Sequence, residues 1–198
     1  MPLFKNAISL SLFDTAKEKQ AFENLLTLIK EKDNHFSVGV LGARVLFRVL
    51  ADFGHADLAL ELITKDSFPS YKYWLKNGAT SLWEAFNELY PGGLFRIDGG
   101  RVLSLNHHFW GDISAWFYRY ILGININPQM DDADTFEISP AVLSKIDFAE
   151  GSYIRNGKGI FIKRVRKDGT THIQIKALGG TKFVLGKGVE DNFVVETI

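Results

Sequence analysis

Hydrophobic residues recur every three to four positions through the first half of the chain and every second position beyond Asp131, and this change of period limits the fold more than any other feature. A chain written this way makes helices first and strands afterwards. In the first part Phe22, Leu25, Leu26 and Ile29 share one helical face behind a Thr15/Glu18 capping pair, with Lys30 and Lys32 suited to the carboxyl end. Leu41, Val45, Leu46, Val49 and Leu50 line a second helix that Gly54 can end, and Asp57 starts a short partner through Leu58 and Leu62. Pro69 interrupts the pattern. A helix beginning near Ser81 is expected next, then a glycine-rich loop from Gly92 to Gly100. An aromatic helix carrying Ile113, Trp116, Phe117, Tyr120 and Ile121 then runs into Gly123.

The second part reads differently. "HIQIKA" sets Ile173, Ile175 and Ala177 against His172, Gln174 and Lys176, the period of a half-buried strand, and Asp168-Gly169 before it is a hairpin signal. "TKFVL" and "NFVVETI" are expected to complete an antiparallel set. The boundary falls in "NINPQMDDADT", where Pro128 and three aspartates break both periods, which gives a helical domain over 1–126 and a small β-sandwich over 127–198.

Composition narrows the function classes. Lys plus Arg and Asp plus Glu balance at 23 each without clustering, so the field that would draw in nucleic acid is missing. No run approaches the roughly 20 apolar residues that span a bilayer, and "MPLFKNAISLSLF" lacks the marks of a signal peptide, so a soluble chain is expected, while its first residue says nothing about export. The compartment stays open. Absence of cysteine removes disulfides and thiolate zinc sites.

Several motifs admit both a structural and a chemical reading. Ser81-x-x-Glu84 fits a capping box. The same carboxylate, in a first helical turn, would sit beside the positive end of the dipole and be held ionised, as a general base must be. Asn106, His107 and His108 open the aromatic helix. No histidine spacing suits a metal, so the imidazoles cap, pack or hydrogen-bond a polar ligand. "GGTKFVLGKG" is no phosphate loop, because its glycine spacing is one residue too long and Gly188 stands where Ser or Thr would bind magnesium. Tyr71, Tyr73, Trp74, Trp83, Phe109, Trp110, Trp116 and Tyr118 are core at helical spacing or walls on which a sugar stacks.

Taken together, "FPSYKYWLKNGATSLWE", "SLNHHFWGDISAWFYRYILGI" and the helix pair "HFSVGVLGARVLFRVLADFGHADLALELI" resemble the bacterial α-L-rhamnosidases, glycoside hydrolase family 78. The resemblance implies a multidomain α plus β fold: part of an (α/α)6 toroid of helical hairpins, followed by a small antiparallel β-sandwich. It implies hydrolysis of a rhamnose-containing glycoside with inversion and without a cofactor, one carboxylic acid protonating the leaving oxygen and a second carboxylate activating water. By matching position that base is Glu84, while His107 contacts the sugar and Asn106, Trp83 and Tyr73 belong to the substrate site. His108, Ala85 with Phe86, and Tyr71 depart from the family's usual tyrosine, Arg-Trp and tryptophan. The family's general-acid motif precedes anything that corresponds to Met1, and a full toroid needs about twice the helices that fit here at roughly 11–12 residues each. The implied partners are therefore a missing N-terminal part of the catalytic domain or a second copy of the chain, and the implied state of the chain alone is inactive. A non-catalytic carbohydrate-binding or assembly module, and a toroid glycosidase for another sugar, are the alternatives.

Overall fold

The computed structural model describes residues 15–86, 96–97, 101–126 and 135–198. They fall into two compact units, Met1–Ile113 and Ser114–Ile198. The expected glycine-rich loop, apart from 96–97, and the aspartate-rich stretch at 127–134 lie outside the described residues.

The first unit is helical: α1 (Thr15–Lys30), α2 (Val40–Asp52), α3 (Ala56–Thr64) and the short α4 (Tyr71–Lys76). Phe22, Leu25 and Ile29 of α1 are buried, and Phe22 stacks on Phe53 at the α2–α3 turn with ring centroids 4.3 Å apart. Helix α2 buries Gly42, Ala43, Leu46, Phe47, Val49 and Leu50. Leu41, assigned to that face from the sequence, is 69% exposed. Five residues before Leu46 it points about 140° away, since each residue turns the helix by about 100°. Gly54 ends α2 as expected, with φ +81° and the His55 amide reaching back to the Leu50 carbonyl at 2.7 Å. No helix lies over 81–86. A two-residue ladder, β1 (Arg96–Ile97) with β2 (Arg101–Val102), and a 3₁₀ turn (His108–Trp110) complete the described part of this unit.

The aromatic helix begins as α5 (Ile113–Trp116) and widens into a π-helical turn (Phe117–Ile121), closed by the Leu122 amide on the Phe117 carbonyl at 3.1 Å. Widening rotates the face, so Trp116 and Tyr120 are buried while Phe117 is exposed. Two sheets follow, one of β3 (Ile124–Asn125), β4 (Thr135–Ile138) and β8 (Lys182–Leu185), the other of β5 (Phe148–Arg155), β6 (Lys158–Lys167), β7 (Thr170–Leu178) and β9 (Phe193–Thr197). A one-turn helix, α6 (Val189–Asn192), precedes β9. The sheets share a core of Leu122, Ile124, Phe136, Ile138, Ile160, Ile162, Ile173, Ile175, Val189 and Phe193, which makes a small β-sandwich.

Hairpins join β5 to β6 and β6 to β7. Asp168-Gly169 turns as expected, with φ 49° and 80°, and Asn156-Gly157 makes the same turn with φ 52° and 77°. The set is not wholly antiparallel. "TKFVL" pairs parallel to β4 and "NFVVETI" parallel to β7, because each returns to its sheet by a crossover instead of a hairpin. Ile173 and Ile175 point inward as the alternation requires, while Ala177 is exposed near the strand end. Arg164 also faces inward, fully buried, its guanidinium donating to the carbonyls of Ile121, Ala141 and Leu143.

Candidate active site

Helix α4 is bracketed by two of the motifs quoted above. Buried Ser70 is its N-cap: the hydroxyl oxygen accepts from the Tyr73 amide at 2.9 Å and its hydrogen goes to the Lys65 carbonyl. At the other end the Gly78 amide donates to Leu75 and the Ala79 amide to Trp74, at 3.1 and 3.0 Å, with Gly78 at φ +81°. This paired closure needs a left-handed residue, and glycine adopts it without a Cβ penalty. "PSYKYWLKNGA" is thus a short helix with both its caps, and it delivers the chain to Ser81.

Beyond it the chain pairs with the 104–107 segment through its backbone. The Glu84 amide donates to the Ser104 carbonyl at 2.9 Å and the His107 amide to the Leu82 carbonyl at 2.7 Å. The expected capping box is overturned: the Glu84 carboxylate accepts through Oε2 from the Ser104 amide at 2.9 Å, and Ser81 gives its hydroxyl hydrogen to Asn106 Oδ1 at 2.7 Å. The local pattern fits a helix start, but a segment twenty to twenty-five residues away supplies the partners first, a donor for the Glu84 carboxylate and an acceptor for the Ser81 hydroxyl. Trp110 Nε1 holds the Glu84 carbonyl at 2.9 Å, and the Ser104 hydroxyl bridges the amide and carbonyl of Asn106 at 3.1 and 3.0 Å. Ser104 and Trp110 were not singled out from the sequence as partners of Glu84. Ser104 in "SLNHH" was the only local signal.

The fold brings Glu84, Asn106 and His107 onto this paired segment and treats the two aromatic candidates differently. Trp83 is 4% exposed and packs on Trp74, with centroids 5.8 Å apart. Tyr73 is half-buried on α4, edge-on to Phe68 at 5.8 Å. Beneath Glu84 lies a cluster in which Phe86 stacks on Trp74 at 3.8 Å and 8° and meets Trp110 edge-on at 4.5 Å. Its other side forms one wall of a groove of about 620 Å³, lined also by Lys32, His35, Phe36, Phe68 and Pro69. Glu84, Asn106 and His107 are not among the lining residues.

Tyr71 belongs to the same cluster and donates its hydroxyl to the Trp110 carbonyl at 3.0 Å. Burial, then the charge of Asp112, pushes its phenol well above the ordinary value of 10.0. An unfolded chain gives up this proton near pH 10 while the folded chain keeps it, so stability is complete below pH 10 and falls above it by roughly 1.4 kcal/mol per pH unit. Tyr71→Phe is expected to cost about 1 kcal/mol at neutral pH and to lose less on going to pH 11. Urea unfolding followed by tryptophan fluorescence checks this, and parallel stability curves for the two proteins would refute it.

Chemically, the segment offers one fixed carboxylate, one amide and one imidazole, a set that can accept a proton from water and hydrogen-bond hydroxyl groups. Among the described residues no group of three or more His, Asp or Glu is placed to hold a metal ion. A family model for the bacterial alpha-L-rhamnosidase 6 hairpin glycosidase domain matches residues 5–121, the stretch that contains all three side chains. The chain is 38% identical over 146 residues to an α-L-rhamnosidase of Alteromonas sp. (strain LOR), covering 74% of this chain and 15% of that protein. It is 38% identical over 117 residues to one of Streptomyces avermitilis, covering 59% and 11%. The crystal structure of Streptomyces avermitilis α-L-rhamnosidase complexed with L-rhamnose matches 93% of this chain and 18% of its own, with TM-score 0.81 and 27% identity. The native enzyme of Aspergillus terreus shares the fold, with TM-score 0.81 at 22% identity, over 93% of this chain and 22% of its own. The chain thus spans 15% or less of the length of these two curated relatives.

Proposed function

Because the chain belongs to the bacterial α-L-rhamnosidase six-hairpin glycosidase family, we propose that it carries the general-base side of an inverting active site for terminal α-L-rhamnosides. The observation that carries this reading is the Glu84 carboxylate, anchored through one oxygen by the Ser104 amide on the segment that bears Asn106 and His107. Glu84 takes the proton of the attacking water, and His107 and Asn106 hydrogen-bond the sugar. Buried Trp83 backs the carboxylate and Tyr73 borders the substrate site from α4. The acid that protonates the leaving oxygen comes from another part of the toroid, so residues 1–126 act as the C-terminal portion of a catalytic domain and 127–198 as its sandwich appendage.

The chain by itself then binds L-rhamnose without turning over rhamnosides, and it takes up the missing helices or a second copy through side chains such as Leu41 and Leu75, each 69% exposed. Calorimetric titration with L-rhamnose, an aryl α-L-rhamnoside assay and light scattering on the purified chain test this. Expected are weak binding, no turnover and a mass above the 22.3 kDa monomer. Turnover by the chain alone would remove the divided acid and base. Absence of rhamnose binding would remove the site.

A further inference from the structure

We infer that His107 is locked as an Nε2–H donor by the backbone of its own turn, and that it serves the site as a fixed donor to a neutral sugar hydroxyl and not as a second base. This rests on the reading of the site just given. His107 caps the 3₁₀ turn, its Nδ1 lying 3.3 Å from the Phe109 amide nitrogen. A backbone amide can only donate, so Nδ1 is the bare nitrogen and the hydrogen of the neutral ring sits on Nε2. His35 shows the opposite case. Its Nδ1 lies 3.1 Å from the Lys32 carbonyl oxygen, which can only accept, so that ring carries its hydrogen on Nδ1 and takes the Ser67 hydroxyl at Nε2, 2.7 Å away.

The His107 ring is also held in direction. Phe109 meets it edge-on at 3.8 Å and His108 lies parallel to it at 5.4 Å. The Phe109 amide is therefore a positioning group, and residue 108 contributes a flat ring where it stacks. Asn106 is turned the same way. Its Oδ1 is occupied by the Ser81 hydroxyl, which leaves the Nδ2 hydrogens to donate. Two donors on the segment that is backbone-paired to Leu82 and Glu84 match hydroxyl groups, which accept from donors and can give to a carboxylate; the ligand class is an uncharged polyhydroxylated ring.

The test is a long-range proton–nitrogen correlation spectrum of the whole chain labelled with ¹⁵N-histidine, near neutral pH and first without sugar. His107→Gln identifies the His107 signals. The expected result is a bare Nδ1 at His107 and a bare Nε2 at His35 in one spectrum, with His107 Nε2 shifting as L-rhamnose is added. Phe109→Pro removes the amide hydrogen; it should give a mixture of tautomers at His107, leave the His35 signals in place as proof of folding, and weaken L-rhamnose binding about twofold, the factor expected when only part of the rings carry the hydrogen on Nε2. A hydrogen on Nδ1, or a tautomer mixture in the unaltered chain, overturns the inference whatever the sugar does. The expected tautomer with no response to L-rhamnose overturns the donor role together with the sugar site.

Discussion

In a catalytically complete chain that contains this segment, Glu84→Gln lowers kcat by roughly 10²–10⁴ while KM and folding change little. The argument is atomic. Glutamine keeps an oxygen that can accept the Ser104 amide hydrogen, and the bonds from the Glu84 amide to the Ser104 carbonyl and from the Trp110 indole to the Glu84 carbonyl do not involve the Glu84 side chain, so the local structure survives. What is lost is the ability to take a proton from water. The acid limb of the pH–rate profile, which reports ionisation of the base in the complete enzyme, should disappear with it. A near-normal rate with an intact acid limb would leave Glu84 as an anchor for the 104–107 segment and nothing more.

The largest expected effect on stability is at Trp74, which is 2% exposed and forms the floor of the aromatic cluster. Phe86 stacks on it at 3.8 Å, and Tyr71, Trp83 and Trp110 surround it with centroids at 5.5, 5.8 and 6.3 Å. Truncation to alanine removes that area and leaves a cavity, a loss of about 3–5 kcal/mol. Trp74→Phe is expected to cost only about 1–2 kcal/mol, because the indole nitrogen is buried without a hydrogen-bond partner among the described residues and its removal relieves an unsatisfied donor. Chemical unfolding followed through Trp83 and Trp110 measures both. Equal losses for the two variants would show that the indole nitrogen is satisfied, and a loss below about 1 kcal/mol for alanine would show that the first unit does not depend on this cluster.

The candidate site is only partly legible before folding. Ser81-x-x-Glu84 satisfies a local helix-start rule, yet the two side chains go to Asn106 and Ser104, more than twenty positions away in sequence for Ser81 and twenty for Glu84. A pattern read within four residues cannot weigh hydrogen-bond partners that arrive from elsewhere. Trp83 illustrates the same limit, since an aromatic beside a carboxylate suits a sugar wall and a core equally until burial is known. Two family motifs were visible as words but not as mechanics. Ser70 and Asn77-Gly78-Ala79 are the two caps of α4, and α4 is too short to stand out by its hydrophobic period. The hairpin at Asn156-Gly157, by contrast, was available from the sequence as plainly as the one at Asp168-Gly169.

What the sequence determined by itself is whatever depends on near neighbours: a helical part followed by a strand part, the glycine that ends α2, the tight turn between β6 and β7, and motifs specific enough to name the family. These follow from backbone preferences and from the period of apolar side chains, which act over a few residues. Tertiary structure alone decided which carbonyls receive the Arg164 guanidinium, that β8 and β9 join their sheets parallel, and that Glu84 is steadied by Ser104 rather than by Ser81. Each of those outcomes is a competition among polar groups distant along the chain, and the compact fold settles it by bringing some partners within hydrogen-bond distance and leaving others out of reach.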